Sequence, residues 1–146
     1  MTDVKSGGAA PRGLAAGEGA ATRVALLVTR WNVEVIDALL AGAYRALKVW
    51  GVRGEHISEF RAPGAYELPL AAHALVNGGK FDAVVALGAV IRGDTPHFDF
   101  VAGEAARGLG HVAVRYALPV VCGVLTVDTL QQAMDRAGGS AGNKGY

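Results

Sequence analysis

The 146-residue sequence has little charge, few aromatic residues and a single cysteine. Cys122 alone cannot form an intrachain disulfide, nor a zinc site built on several cysteines. Fourteen Lys and Arg residues against 13 Asp and Glu leave a net charge of +1. That balance argues against a general nucleic-acid or membrane-surface binder, which needs a concentrated positive field. The longest apolar stretches, at 83–91 and 117–127, are too short to span a bilayer.

Charged residues make up 18% of the chain and hydrophobic residues 51%, so we expect an oligomer to cover part of the surface. Residues 1–22 are rich in Gly and Ala and have no apolar period. They also lack the continuous apolar segment of a signal peptide. We therefore predict a flexible arm over 1–22, one α/β domain over 23–146 and a cytoplasmic location.

Short apolar runs alternate with helical patterns from Arg23 onward. The runs at 24–28, 83–87 and 120–127 predict strands, the first of them buried on both faces, and 56–61 has the alternation of an edge strand. A helical pattern follows each run. The order βαβαβαβα predicts an α/β fold, a three-layer α/β/α sandwich around a four-stranded parallel sheet with flavodoxin-like, doubly wound order.

The helices have recognisable starting signals. Asn32 is a good N-cap for the first helix, and Pro69 fits the first turn of the second. Thr95 is expected to cap the third, with Pro96 at its first position. Asp128 or Thr129 is expected to cap the fourth, with a glutamine three places on as in a capping box; this helix should stop at 138–139.

Chemically distinctive residues follow the predicted strands. In an open parallel sheet, ligands bind beyond the carboxyl ends of the strands. The first strand leads to Trp31 and Asn32, the second to 61–67 and the third to 88–97. We expect these aromatic, carboxylate, imidazole and glycine groups to meet at one edge of the sheet. The alternative is that each residue only shapes its own loop.

Gly93, Asp94 and Thr95 lead directly into the third helix. Unpaired N–H groups at a helix N-terminus favour an anion such as phosphate, although N-capping by Thr95 explains the same residues equally well. Any contact from Asp94 should come from its backbone, since its carboxylate has the wrong charge. His97, in the first turn, could accept and return protons beside a bound phosphate.

Three more residues each have two interpretations. Trp31 could stack on a planar heterocycle or belong to the core. Glu67 could bind a ligand hydroxyl or only favour the start of a helix. Arg136 lies roughly 12 Å along the fourth helix from its cap, at 1.5 Å per residue. It therefore either bonds helix carbonyls or serves the site of a neighbouring subunit.

Five segments resemble the 6,7-dimethyl-8-ribityllumazine synthase family. They occur in order, are correctly spaced and span about residues 23–145, and the long third segment is very specific. The segments are TRWN (29–32), APGAYELP (62–69), LGAVIRGDTPHFD (87–99), GVLT (123–126) and RAGGSAGNKG (136–145).

This resemblance implies the α/β/α fold predicted above and the penultimate step of riboflavin biosynthesis. In that step, a transferase condenses 5-amino-6-(D-ribitylamino)uracil with 3,4-dihydroxy-2-butanone 4-phosphate. The products are 6,7-dimethyl-8-ribityllumazine, phosphate and water, and neither a metal nor an organic cofactor is needed. The resemblance also implies a homopentamer, able to form decamers or icosahedral shells of sixty subunits, with each site shared between adjacent subunits. It leaves open an association with riboflavin synthase.

The resemblance assigns roles to particular positions. His97 matches the proton donor and acceptor, and Trp31 the aromatic residue that stacks on the pyrimidine ring. The positions that match the ribitylaminouracil site are Trp31, Asn32, Ala65, Tyr66, Glu67, Ala89, Val90, Ile91, Cys122 and Lys144. Those that match the butanone-phosphate site are Gly93, Asp94, Thr95 and Arg136.

Three features depart from the family pattern. Cys122 stands where many members place an aromatic residue that covers the ring from the neighbouring subunit; a small core residue is the simpler interpretation. Ser140 replaces a frequent lysine. Relatives continue past the position of Tyr146, so the final helix is expected to be absent here.

Two other classes of function fit the same pattern. A flavodoxin-like module could bind a flavin or phosphorylated sugar without turnover, and a shell-forming homologue could serve mainly as a cage. Turnover of both synthase substrates distinguishes the enzyme from either alternative.

Overall fold

A parallel four-stranded sheet forms the centre of the protein in the computed structural model, which describes residues 18–146. The strand order is β2-β1-β3-β4, and all three pairings are parallel. The strands are β1 (Val24–Thr29), β2 (Ile57–Ala62), β3 (Ala83–Ile91) and β4 (Val120–Val127). The predicted fold class and the edge position of the second strand are therefore confirmed.

Four helices follow the four strands in turn. They are α1 (Val33–Val49), α2 (Leu68–Asn77), α3 (His97–Tyr116) and α4 (Leu130–Arg136). Of the predicted arm, residues 1–17 lie outside the described range, and Glu18–Ala21 form a short 3₁₀-helix. No helix in the described range is both long and apolar enough to cross a membrane.

Both faces of β1 are covered, which accounts for its continuous apolar run. All six of its residues are buried. Leu26 and Val28 pack in one core with α1 and α4, whereas Ala25 and Leu27 pack in a second core with α2 and α3. Alternation along the strand divides its side chains between these two cores. The result is the predicted three-layer sandwich.

Strand β3 is longer than the sequence predicts. It pairs with β4 from Val84 to Ile91, whereas the apolar pattern predicts an end at Leu87 and a loop over 88–91. Gly88 interrupts the pattern, but its backbone continues the ladder opposite Val124. Ala89, Val90 and Ile91 are therefore strand residues.

Asn32 occupies the predicted N-cap position of α1, but its side chain does not cap the helix, and the predicted Thr95 cap of α3 is wrong. Asn32 precedes α1 but has a left-handed backbone (φ 56°, ψ 54°), and its side chain makes no capping hydrogen bond. Capping side chains normally need an extended backbone at that residue. Helix α3 begins at His97, with Pro96 immediately before it and no side-chain cap, so Thr95 does not cap it.

The cap of α4 is confirmed at Thr129. Its Oγ1 accepts a hydrogen bond from the Gln132 backbone N–H at 3.1 Å. Gln132 reaches back, and its Oε1 accepts from the backbone N–H of Asp128 at 2.8 Å. Two otherwise unpaired donors at the helix start are thereby satisfied.

A short antiparallel hairpin follows α4 where the sequence predicts two more residues of helix. It comprises β5 (Ala137–Gly139) and β6 (Gly142–Asn143). Asn143 anchors the hairpin to α1 because its Nδ2 donates to the Ala38 carbonyl at 2.8 Å. Gly145 then lies so close to the Leu39 backbone that no side chain would fit there.

Candidate functional site

A cavity of about 670 Å³ lies at the carboxyl ends of β1 and β3. The strand order reverses here, because β1 leads outward to β2 and β3 leads outward to β4. The connections after the two central strands diverge at such a point and leave a crevice. The residues that line it are Thr29, Trp31, Asn32, Gly64, Ala65, Tyr66, Glu67, Ala89, Val90, Ile91, Gly93, Thr95, His97, Phe98 and Val101.

Eleven of the fifteen predicted site residues thus line one cavity, and the four outside it are Asp94, Cys122, Arg136 and Lys144. Trp31 and His97, which come from different strand ends, are on the same cavity. If each residue only shaped its own loop, as the alternative interpretation holds, these residues would not need to meet at one cavity.

Trp31 is a surface residue, since 72% of it is exposed. Its interpretation as core material is therefore wrong. Asn32 anchors this turn, because its Nδ2 donates to the Ala89 carbonyl on β3 at 3.3 Å. The left-handed backbone of Asn32 thus turns its side chain toward the neighbouring strand β3. Trp31 therefore lies next to a turn that this hydrogen bond holds in place.

Trp31 and Glu67 both lie close to Gly64. A β-carbon at position 64 would lie 3.2 Å from Glu67 Oε2 and 3.5 Å from Trp31 Cδ1. The carboxylate and the indole ring therefore flank this glycine. An aromatic face beside a hydrogen-bond acceptor suits a planar heterocycle that carries polar substituents.

The segment after β2 forms a short 3₁₀-helix, Ala65–Glu67, that runs into α2. Ala65 is buried, whereas Tyr66 and Glu67 are exposed. Glu67 occupies the position before α2, but its side chain makes no capping hydrogen bond. Its carboxylate therefore does not serve as an N-cap.

His97 is the first residue of α3 and is exposed. Gly93 and Thr95 line the cavity just before it, and Asp94 is exposed but does not line the cavity. The first backbone N–H groups of an α-helix have no partner within the helix, and its N-terminus carries a partial positive charge. This wall of the cavity therefore suits an anion.

Four lining residues were not among the predicted site residues: Thr29, Gly64, Phe98 and Val101. Val101 is one helical turn after His97, so the spacing itself places both on one face of α3. Thr29 is 2% exposed, and its Oγ1 has no hydrogen-bond partner in the structure. No sequence pattern marks a hydroxyl as unpartnered.

Arg136, Lys144 and Cys122 lie away from this cavity. Arg136 Nη1 donates to the Gln132 carbonyl of its own helix at 3.0 Å. Lys144 lines a separate cavity of about 260 Å³ together with Trp50. Cys122 is exposed on the edge strand β4, so its interpretation as a small core residue is wrong.

The doubly wound parallel sheet and its switch-point cavity define a class of α/β protein in which ligands bind at the ends of the strands. The family model for 6,7-dimethyl-8-ribityllumazine synthase matches residues 21–146. The chain therefore belongs to this family of riboflavin biosynthesis, and the resemblance stated from the five sequence segments is confirmed.

Proposed function

We propose that the protein condenses 5-amino-6-(D-ribitylamino)uracil with 3,4-dihydroxy-2-butanone 4-phosphate to form 6,7-dimethyl-8-ribityllumazine. Family membership supports this reaction. The observation that carries it is the single cavity that joins exposed Trp31 on one side to His97 and the start of α3 on the other. One wall suits a flat ring, and the other suits a phosphate.

In this proposal, the pyrimidine ring of the first substrate stacks on Trp31, and Glu67 accepts hydrogen bonds from its polar groups. Tyr66, Ala89, Val90 and Ile91 form the surrounding wall. Ala65 and Asn32 support that wall, because Ala65 is buried and the Asn32 amide is held by the Ala89 carbonyl. Holding two reactants in place accounts for much of the expected acceleration.

The phosphate of the second substrate binds the backbone of Gly93, Asp94 and Thr95 at the start of α3. Arg136 of an adjacent subunit completes this site, since Arg136 matches the family position that binds this phosphate but is outside the cavity of its own chain. It would exchange its hydrogen bond to the Gln132 carbonyl for one to the phosphate. Positive groups fixed around a departing phosphate stabilise its developing charge.

The proposed chemistry is a series of proton transfers. The primary amine attacks the ketone and loses water to give an imine, phosphate is eliminated, and the enol tautomerises. Ring closure then expels a second water. His97 accepts and returns protons in these steps, since it lines the cavity together with Gly93 and Thr95 of the proposed phosphate site.

We also propose a cytoplasmic homo-oligomer with shared sites. Large apolar side chains are exposed along several elements, including Val49, Leu70, Phe100 and Val114. The edge strand β4 carries exposed Cys122 and, at 51% exposure, Val121. A neighbour packed on these surfaces would bury them. In the proposed assembly, Cys122, Lys144 and Arg136, which do not line their own chain's cavity, face the cavity of a second chain. A pentamer, and larger assemblies of pentamers, fit this proposal.

The test is an assay of the native assembly with both substrates, which follows product fluorescence and phosphate release together. We expect His97→Ala to lower kcat by about a hundredfold, within the range typical of general acid–base residues. His111→Ala is the matched control, since His111 is also exposed on α3 but does not line the cavity.

A loss of tenfold or less in His97→Ala would remove His97 from proton transfer. Tight binding of the substrates without turnover by the wild-type protein would overturn the enzymatic proposal in favour of a binding module. A large hollow particle without activity would favour a shell protein.

A further inference from the structure

Arg92 is a charged residue of the 87–99 motif whose side chain bonds both to Asp99 in the same motif and to Asp128 after β4. It directly follows β3, and its backbone N–H donates to the Val127 carbonyl at 2.9 Å. That bond extends the pairing of β3 with β4 by one residue. Arg92 therefore stands at a fixed point, immediately before Gly93 and the proposed phosphate-binding backbone.

The guanidinium of Arg92 joins three groups. Its Nε donates to Asp128 Oδ1 at 3.0 Å, and its Nη2 donates to Asp99 Oδ1 at 3.5 Å. The guanidinium carbon also lies 4.1 Å from the centre of the Phe98 ring. We call Arg92, Phe98, Asp99 and Asp128 the Arg92 clamp.

The clamp holds both ends of the segment that connects β3 to α3. Asp99 and Phe98 belong to the first turn of α3, and Asp128 directly precedes the Thr129 cap of α4. Residues 93–96, which contain the proposed phosphate-binding backbone, are exposed and outside any helix or strand. These residues connect Arg92 to the first turn of α3, which the Arg92 guanidinium contacts through Phe98 and Asp99. The position of this segment therefore depends on both ends of the clamp.

Stability alone does not account for this arrangement. All three charged groups are exposed, and exposed ion pairs contribute only about 0.2–1 kcal/mol each. The planar guanidinium is nevertheless directional, because it bonds carboxylates in its plane and stacks on a ring with its face. Arg92 also does not line the cavity, and two carboxylates offset its charge.

We propose that Arg92 is a positioning residue. It makes no contact with either substrate but holds residues 93–95 and His97 in the geometry that binds and processes the phosphorylated substrate. This inference rests on the proposed function, which supplies the phosphorylated substrate. Phe98 connects the clamp to the cavity directly, because it is both a clamp member and a lining residue.

The test compares Arg92→Gln and Arg92→Lys with the control Arg23→Gln, all as native assemblies. Arg23 has an equally good ion pair with Asp82, at 3.0 Å, but lies before β1 at the other end of the sheet. We expect Arg92→Gln to lower kcat/KM for the phosphorylated substrate by about tenfold, because small misplacements of reacting groups are costly. The KM for ribitylaminouracil should change by less than about twofold, and Arg92→Lys should be intermediate because an ammonium lacks the planar fork.

Amide hydrogen exchange gives a readout that does not need turnover. Exchange of the two hydrogen-bonded amides at the ends of this segment, those of Arg92 and Asp99, should be about tenfold faster in Arg92→Gln than in wild type, with no such change in Arg23→Gln. Unchanged exchange in this segment would overturn the inference. Equal losses for both substrates, accompanied by a lower unfolding midpoint, would also overturn it. Inactivity of the wild-type protein would overturn the proposed function, and the exchange data would still decide whether the clamp exists.

Discussion

Asn32 has a left-handed backbone, and this conformation decides what its side chain can do. An extended Asn32 would cap α1, as its residue type predicts, whereas the observed residue donates to Ala89 on β3. Asparagine tolerates this conformation better than most residues. The consequence for function is that Trp31 is presented to solvent beside a braced turn.

Thr29 provides a prediction at the scale of one residue. Its buried Oγ1 has no partner, and an unsatisfied buried hydroxyl is costly, whereas valine has the same shape without the polar atom. We expect Thr29→Val to raise the free energy of unfolding by about 1 kcal/mol, measured by urea denaturation.

Thr29→Ser is the matched control for this prediction, because it retains the hydroxyl and removes only the methyl group. It should be less stable than wild type. A destabilised Thr29→Val protein would mean that the hydroxyl has a partner after all.

An ion pair links the starts of β1 and β3 at the end of the sheet opposite the cavity. Arg23, just before β1, donates to the Asp82 carboxylate from its side chain at 3.0 Å and 3.2 Å and from its backbone N–H at 2.7 Å. Asp82 directly precedes β3. This ion pair therefore aligns the starts of the two central strands. The candidate site lies at the other ends of the same strands.

The ion pair between Arg23 and Asp82 should make the stability of the fold depend on pH. The side-chain hydrogen bonds from Arg23, followed by the one from its backbone, lower the pKa of Asp82 below its ordinary value of 3.8. A carboxyl whose pKa is lowered by folding stabilises the fold above its unfolded pKa, and this contribution is lost as the pH falls through the lower folded pKa. Asp82→Asn should therefore be less stable than wild type at about pH 6, and the gap should narrow as the pH falls below 3.8.

Urea unfolding at a series of pH values measures this gap. Arg23→Gln removes the other partner and should show the same narrowing. A gap that stays constant from neutral to acidic pH would contradict the role of the Asp82 charge.

At the scale of the whole molecule, the proposed site is divided between two subunits. His97 lines the cavity of its own chain, whereas Arg136 does not. An assembly that supplies Arg136 from a neighbour would complete the phosphate wall. The low charge content and the exposed apolar side chains are consistent with such an assembly.

Mixed assemblies test this division directly. His97→Ala and Arg136→Ala should each be nearly inactive alone, but equal mixtures dissociated and reassembled together should regain about a quarter of wild-type activity. Random pairing puts an intact His97 opposite an intact Arg136 at about one site in four.

Each variant dissociated and reassembled by itself is the control and should stay inactive. A mixed assembly of verified composition that regains no activity would mean that both residues act within one chain.

Local patterns in the sequence determined the four strands, the four helices and their parallel arrangement, because burial on both faces of a strand and on one stripe of a helix leaves a direct periodic signal. The Thr129 cap and the family segments were also readable from the sequence. Tertiary structure alone decided the left-handed turn at Asn32, the extension of β3 through Gly88 to Ile91, the hairpin after α4 and the Arg92 clamp. Each depends on a partner distant in the sequence, such as Ala89 for Asn32, β4 for β3 and Asp128 for Arg92, and residue type at one position does not encode a distant partner.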